Sequence, residues 1–205
     1  GGGATHHMEK ENKLEEFNSR IKSCNMCDST GLNKTLVSGI LLGSGNINSE
    51  IMFIGQNPSV VRYSKDDKIF GNPLVSNTDR VFCDGLASID LKREDVYVTN
   101  FVKGSTFENR VPSVDETIHG LSHLSNEIYI IKPKIIVCVG AFVCDNFNIR
   151  IGQIDTRDYV YFGINHPTAV VRGNLTLEEY ILQWHKLREL INSSKSVVSL
   201  KKWLT

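Results

Sequence analysis

Three polar side chains stand just beyond apolar runs, and their types limit the chemistry open to this chain. Asn57 follows Ile51-Met52-Phe53-Ile54 through Gly55-Gln56 and precedes Pro58-Ser59. Asn100 ends the run Val96-Tyr97-Val98-Thr99. His166 follows Tyr159-Val160-Tyr161-Phe162 through Gly163-Ile164-Asn165 and precedes Pro167-Thr168. Two amides and an imidazole supply hydrogen-bond donors and acceptors, but no nucleophile and no strong acid.

These three converge only if the runs before them are parallel neighbours in one sheet. Ile51 to Ile54, bounded by Glu50 and Gly55, reads as a strand buried on both faces. Gly55 permits a sharp turn and Pro58 stops further pairing, which leaves a rigid polar loop at the carboxyl end of the strand. Open α/β sheets bind ligands there. Ile135 to Val139 reads as another buried strand, and Val37 to Leu42 as a short one closed by a turn at Gly43-Ser44-Gly45-Asn46. No Lys-Ser or Lys-Thr follows that glycine-rich turn, so it is not a phosphate loop.

The helices carry their own signals. Leu14, Phe17 and Ile21 lie at helical spacing in Glu9 to Ile21. Asn77 can cap a helix reaching about Ser88. Capping boxes at Ser113-Val114-Asp115-Glu116 and Thr176-Leu177-Glu178-Glu179 predict helices to about Ile131 and Asn192, and a short helix starts at Ala141. Val60 to Asn77 and Phe101 to Val111 are loops of a length that is often functional. The alternation predicts a three-layer α/β/α fold with a central, mostly parallel four-stranded sheet. Residues 1–7 read as a tag remnant, 8–194 as a single domain, and 195–205 as a C-terminal tail.

With 205 residues, 40% of them hydrophobic and 22% charged, the composition is that of one soluble domain. Lys and Arg total 23 against 23 Asp and Glu, so any nucleic-acid binding needs a local basic patch. No apolar run reaches membrane-spanning length and no signal-peptide pattern is found. The expectation is a cytoplasmic monomer with no membrane partner. Five cysteines argue against a disulfide framework. Cys83, Cys138 and Cys144 fall within predicted elements as small buried hydrophobes, and Cys24-x2-Cys27 stands apart.

Gly55-Gln56-Asn57-Pro58 followed much later by His166-Pro167-Thr168 resembles the two motifs of the uracil-DNA glycosylase superfamily. The layout is most similar to the iron–sulfur family-four enzymes. Similarity runs from about Cys24 to Arg172, through Gly71-Asn72-Pro73-Leu74, Val96 to Lys103, and Ile131 to Val137. The resemblance implies a DNA glycosylase, a hydrolase that cuts the N-glycosidic bond of a flipped-out pyrimidine, with DNA as partner. Such an enzyme must stabilise the departing base anion, hold water near the sugar and extract the base from the stack.

Roles follow by resemblance. Asn57 orients water, because an amide cannot act as a base near neutrality. His166 donates to the pyrimidine O2, for which a neutral imidazole protonated at Nε2 suffices. Asn100 reads the base edge, with Gln56 and Ser59 beside it. Val170 and Val171 form an apolar wedge, and Lys103, Arg110 and Arg172 meet phosphates. No lysine occupies the motifs to form a Schiff base, so the activity is expected to be monofunctional. Blander readings stand beside these: an Asn57 that caps its own turn, a core His166, a turn residue at Asn100, and solvated charges.

Departures from the family pattern bear on the substrate. Family-four enzymes have an aromatic ring where this chain has Leu74, and nearby Phe70 is the alternative stacking ring. Ser59 stands where common uracil enzymes have a tyrosine that excludes a 5-methyl group. Both changes remove bulk, which suggests a roomier pocket and a 5-modified pyrimidine, such as glycosylated hydroxymethylcytosine of phage DNA, excised in antiviral defence. Arg62, Tyr63, Lys65, Asp66, Asp67 and Asn109 could then bond the hydroxyls of an attached sugar. The alternatives are an ordinary uracil-DNA glycosylase of base excision repair and a non-catalytic DNA-binding module. A flavodoxin-like nucleotide-binding protein would need the phosphate loop that is missing.

The family's iron–sulfur cluster takes four cysteines. Cys24-x2-Cys27 matches the first pair, but Gly104 and Gly120 stand at the other two positions, so the cluster is not expected. His119 and His123 lie one helical turn apart beside the lost ligand, and Cys2His2 is a tetrahedral zinc set. The readings are therefore a structural zinc remote from the chemistry, or a vestigial cysteine pair beside surface histidines, the latter slightly favoured. Neither makes a cofactor necessary for catalysis.

Overall fold

The computed structural model describes residues 2–27, 36–37, 39–62, 64 and 66–204. In chain order the helices are α1 (Gly2–Lys22), α2 (Asn77–Ser88), α3 (Val114–Ile131), α4 (Ala141–Asn146), α5 (Thr168–Val171) and α6 (Leu177–Leu204). The strands are β1 (Leu36–Val37), β2 (Ser44–Gly45), β3 (Ile51–Gly55), β4 (Tyr97–Asn100), β5 (Ser105–Thr106), β6 (Ile135–Val139), β7 (Ile154–Thr156) and β8 (Val160–Ile164). Among the described residues no helix is long and apolar enough to cross a membrane.

The main sheet has six strands in the order β2-β4-β3-β6-β8-β7. Its four inner strands are mutually parallel, while β2 and β7 close the edges antiparallel. The expected four-stranded parallel sheet is therefore the middle of a mixed six-stranded one. Both edge strands escape a sequence reading because they are short and lack a run of apolar residues; Ser44 and Gly45, read as a turn, pair with Val98 and Tyr97. The strand expected over Val37 to Leu42 is not formed as such. Leu36 and Val37 pair with Thr106 and Ser105 in a separate ribbon, Ser38 lies outside the described residues, and the Leu41 N–H donates to the carbonyl of Lys103, past the end of β4, at 3.0 Å.

Every residue of β3, β4 and β6 is buried, as expected for strands covered on both faces. Strand alternation divides the core in two. Met52 and Ile54 pack with Leu14, Phe17 and Ile21 of α1 and Leu124, Ile128 and Ile131 of α3. Ile51 and Phe53 face α2 and α6, where Phe53 stacks on Trp184 with ring centroids 5.3 Å apart and meets Phe82 edge-on.

Helix starts follow the capping chemistry. Ser76, not Asn77, caps α2, its hydroxyl accepting from the Asp79 N–H at 3.2 Å. Ser113 and Glu116 form the expected box at α3, and Thr176 Oγ1 accepts from the Glu179 N–H at α6. Helix α6 continues to Leu204, so most of the expected C-terminal tail extends a helix, and α1 takes in residues 2–7.

One charged group is sealed between the sheet and α3. Lys103 and Glu127 pair at 2.6 Å with side chains 1% and 0% exposed. The ammonium donates also to Thr99 Oγ1 at 2.8 Å and to the Asn100 carbonyl at 2.6 Å, which uses all three protons. Thr99 and Tyr97 hydroxyls donate to the Glu127 carboxylate. The phosphate contact expected of Lys103 is thereby corrected, since a buried cation with no remaining donor cannot meet DNA. Glu127→Ala should cost about 3–5 kcal/mol by leaving a buried charge unpaired. Lys134→Ala, which breaks a 3.0 Å pair with Glu50 that is about half exposed on both sides, should cost about 1 kcal/mol at most. Urea unfolding midpoints of the two variants check the contrast.

Candidate functional site

Parallel register brings the carboxyl ends of β3, β4, β6 and β8 to one rim. There, a cleft of about 800 Å³ is lined by Gln56, Asn57, Ser59, Phe70, Asn100 and His166, among others. Strand order reverses at β3, which has β4 on one side and β6 on the other. Crevices at such switch points are the usual ligand sites of open α/β sheets.

His166 follows β8, two strands away from β3, yet it lines the same cleft as Asn57. Gly140, which directly follows β6, makes this possible, with a φ of 91° that favours glycine. A Cβ at Gly140 would stand 3.1 Å from the His166 Cβ, so the imidazole occupies space that any other residue would fill. The Thr168 N–H donates to His166 Nδ1 at 3.1 Å, and Thr168 Oγ1 lies 2.8 Å from the same nitrogen. A backbone N–H can only donate. Nδ1 is therefore the acceptor, and the neutral ring carries its proton on Nε2. Burial, reinforced by Arg172, pulls the pKa down to about 4.

Asn100 is 3% exposed and paired in register with Gly55. Its Oδ1 would lie 2.6 Å from a Cβ at Gly55, so the bare backbone of that strand end gives the amide its place. Among the described residues the side-chain amide makes no hydrogen bond, while the Asn100 carbonyl is held by Lys103. An amide at the cleft wall with no partner among the described residues is suited to pairing with a ligand edge.

Asn57 Oδ1 accepts from Gln56 Nε2 at 3.0 Å. Its Nδ2 makes long contacts of 3.4 to 3.5 Å with the Pro58 and Gly104 carbonyls and with Thr106 Oγ1. Two of these cross to the second loop, so Asn57 does more than cap its own turn. It braces the two loops, and Gln56 Nε2 takes one of its Oδ1 lone pairs.

Phe70 lines the cleft with a φ of 54°, a conformation rare for an aromatic residue. It stacks on Phe82 at 4.5 Å and meets His166 at 5.5 Å and 63°. Leu74, expected beside the base, is 95% exposed and outside the cleft. The Val75 and Ser76 N–H groups both turn back to the Asn72 carbonyl, and the resulting tight turn carries Leu74 outward. Phe70 thus takes the wall that Leu74 was expected to supply, and Phe142 also lines the cleft. Ser59 is exposed at the cleft, its Oγ accepting from the Val61 N–H at 3.2 Å.

Other expected residues divide. Arg172 lines the cleft, and Val171 is 44% exposed while Val170 packs against the core. The Arg110 guanidinium is taken up by Glu116 at 2.7 and 3.0 Å, where it secures the start of α3. Arg62, Asp67 and Asn109 line the cleft, Asp66 does not, and Tyr63 and Lys65 lie outside the described residues. Thr168, Asp79 and Asp145 were not anticipated; for Thr168 the available signal was its hydroxyl two residues past the histidine. Away from the cleft, Cys24, Cys27, His119 and His123 come together, where a vestigial pair and surface histidines were favoured.

This chain is similar to known proteins over most of its length. The model of the uracil DNA glycosylase superfamily matches residues 42–188. A Type-4 uracil-DNA glycosylase of Archaeoglobus fulgidus is 32% identical over 193 residues, covering 86% of this chain and 92% of the relative. One from Thermotoga maritima is 33% identical over 174 residues, covering 80% and 86%. A DNA polymerase of Bacillus phage SP01 is 32% identical over 170 residues, covering 78% of this chain but 18% of that protein.

The lowered pKa of His166 has two consequences. Nitrogen NMR at pH 5.5 should show a neutral ring protonated at Nε2, since burial and Arg172 hold the pKa near 4. Between the ordinary value near 6.5 and about 4, the unfolded chain binds the extra proton and the folded one does not. The contribution of His166 to stability is therefore complete above about pH 6.5 and falls as pH drops toward 4. His166→Asn should flatten that part of the stability profile, as measured by denaturant unfolding.

Proposed function

The chain belongs to the uracil-DNA glycosylase superfamily, and from that premise we propose that it hydrolyses the N-glycosidic bond of a pyrimidine flipped out of DNA into the cleft. The observation that carries this reading is the His166 tautomer. With Nδ1 accepting from the Thr168 N–H, Nε2 is the donor, in a cleft that also holds the unpartnered amide of Asn100. As the glycosidic bond lengthens, negative charge moves onto the base. A fixed neutral donor at O2 then gains strength as the charge develops, and being neutral in advance it needs no proton uptake. Asn100 pairs with the base edge. Asn57, steadied by Gln56, orients water toward the sugar carbon; the new C–O bond forms as the base departs with the electrons of the glycosidic bond, and the proton that water loses passes through solvent to the base anion. Val171 and Arg172 stand at the rim to fill the stack and meet phosphate.

The activity is monofunctional in this reading. Lys103 has all three ammonium protons committed to Thr99, Asn100 and Glu127, so it offers no amine for a Schiff base. Lys68 also lines the cleft but lies outside the motifs, on the long loop after β3.

For the substrate, the lack of a ring at Ser59 is the guiding feature, and it stands alone now that Leu74 lies outside the cleft. A volume of about 800 Å³ sits high in the range of about 300–1,000 Å³ found for small-molecule sites. Arg62, Asp67 and Asn109 give this volume polar walls. These features support preference for a 5-modified pyrimidine, with glycosylated hydroxymethylcytosine of phage DNA as the specific proposal and antiviral defence as the role. Excision of uracil in repair is the second reading, favoured by the names of the Archaeoglobus and Thermotoga relatives.

Duplexes bearing uracil, hydroxymethylcytosine or its glucosylated form, treated with protein and then alkali, separate the readings. Base release without strand scission before alkali is expected, with the glucosylated base cut best. His166→Ala and Asn57→Ala should each slow single-turnover release by about tenfold to a thousandfold, the scale of one transition-state hydrogen bond. Ser59→Tyr should slow the modified substrate before uracil. Efficient uracil release with no cutting of modified DNA would overturn the substrate proposal, and a borohydride-trapped adduct would overturn the mechanism.

A further inference from the structure

We propose that Cys24, Cys27, His119 and His123 hold a single zinc ion that joins the end of α1 to α3. The four ligand atoms all lie within 4.8 Å of one another. Both sulfurs lie 3.4 Å from the same nitrogen, His119 Nε2. With Zn–S bonds of about 2.3 Å and Zn–N bonds of about 2.0 Å, the S-to-N edge of a tetrahedron comes to about 3.5 Å. His119 and His123 stand four residues apart on one face of α3 with ring centroids 4.5 Å apart. An independent observation points the same way. His123 Nε2 is buried with no hydrogen-bond partner among the described residues, a costly state for a ring nitrogen unless something binds there.

Local structure prepares the sulfurs as well. The turn after α1 is closed by the Cys24 N–H to the Ile21 carbonyl and the Cys27 N–H to the Cys24 carbonyl, each at 3.1 Å. Two cysteines three apart on such a turn can present both thiolates to one point.

The iron–sulfur cluster implied by the family-four resemblance does not fit these residues. Its remaining cysteine positions are Gly104 and Gly120. A Cβ at Gly120 would stand 2.7 Å from the Phe101 carbonyl oxygen and 3.0 Å from Val102 Cγ2, so α3 lies too close to that backbone for a side chain. A two-iron cluster with mixed ligands fails too. It would place the sulfurs on one iron and the imidazoles on the other, whereas here each sulfur touches the same imidazole nitrogen. Donors that converge on one point suit one ion. Two thiolates and two imidazoles at tetrahedral spacing suit zinc, and four protein ligands leave no open position for substrate. The ion is structural, and no step of the proposed reaction passes through it.

The test uses the full chain, purified without added metal. Elemental analysis should find one zinc per chain and no labile sulfide. Chelation should lower the thermal midpoint, and zinc should restore it. Cobalt added to the stripped protein should give the visible bands of a tetrahedral thiolate site. His123→Ala should retain much less zinc than wild type, while His185→Ala should retain the full amount. Iron with sulfide would overturn the proposal. So would a stripped wild-type protein that stays colourless with cobalt and whose midpoint zinc leaves unchanged, a result independent of whether any variant folds.

Discussion

The buried pair of Lys103 and Glu127 is the interaction on which the geometry depends. Taking two charges out of water costs several kcal/mol for each ion, and the pair is tolerable only where every donor and acceptor is met. Here Lys103 meets Thr99, the Asn100 carbonyl and Glu127, and Glu127 also accepts from Tyr97 and Thr99. These bonds fix the end of β4, the direction of the chain beyond it, and the seat of α3 on the sheet. Asn100 owes its position to them. So does the relation of the two loops, since the Phe101 and Val102 N–H groups bond the Gly55 and Gln56 carbonyls at 2.8 and 3.0 Å. Half of the proposed zinc set lies on the same helix, His119 and His123 standing two turns and one turn before Glu127, so a metal there would brace the element that carries the buried carboxylate.

At the other end of the cleft the controlling constraint is a hydrogen bond of fixed direction. A backbone N–H at Thr168 leaves His166 Nδ1 no role but acceptor, and burial keeps the ring neutral. Stabilising an anion with a neutral donor avoids the cost of holding a cation in a site of low dielectric before the charge appears. The arrangement needs a strand end without a side chain at Gly140, which lets one residue reach over its neighbouring strand.

Much of this was legible because it is written in local pattern. Continuous apolar runs marked the four inner strands, capping boxes marked α3 and α6, and the polar residues beyond the strands marked the rim. What was not legible depends on tertiary placement. Lys103, three residues past Asn100, reads like a solvated charge until Glu127 arrives from α3. Leu74 stands at the family's position for the ring, with Phe70 as the alternative, and a left-handed backbone at Phe70 with a tight turn after Asn72 puts Phe70 and not Leu74 on the cleft. The edge strands are too short to show a period. The cysteine pair and the histidines each had suggestive spacing, but only the packing of α1 on α3 brings them to one point.

A structure in complex with DNA containing a 2′-fluoro pyrimidine nucleotide, which resists cleavage of the glycosidic bond, tests the central claim most directly. The account predicts the base extruded into the cleft, with its O2 about 2.7–3.2 Å from His166 Nε2 and its edge paired with the Asn100 amide beside Phe70. A base bound outside the cleft, or a His166 ring turned so that Nδ1 faces the pyrimidine and Thr168 is released, would contradict it.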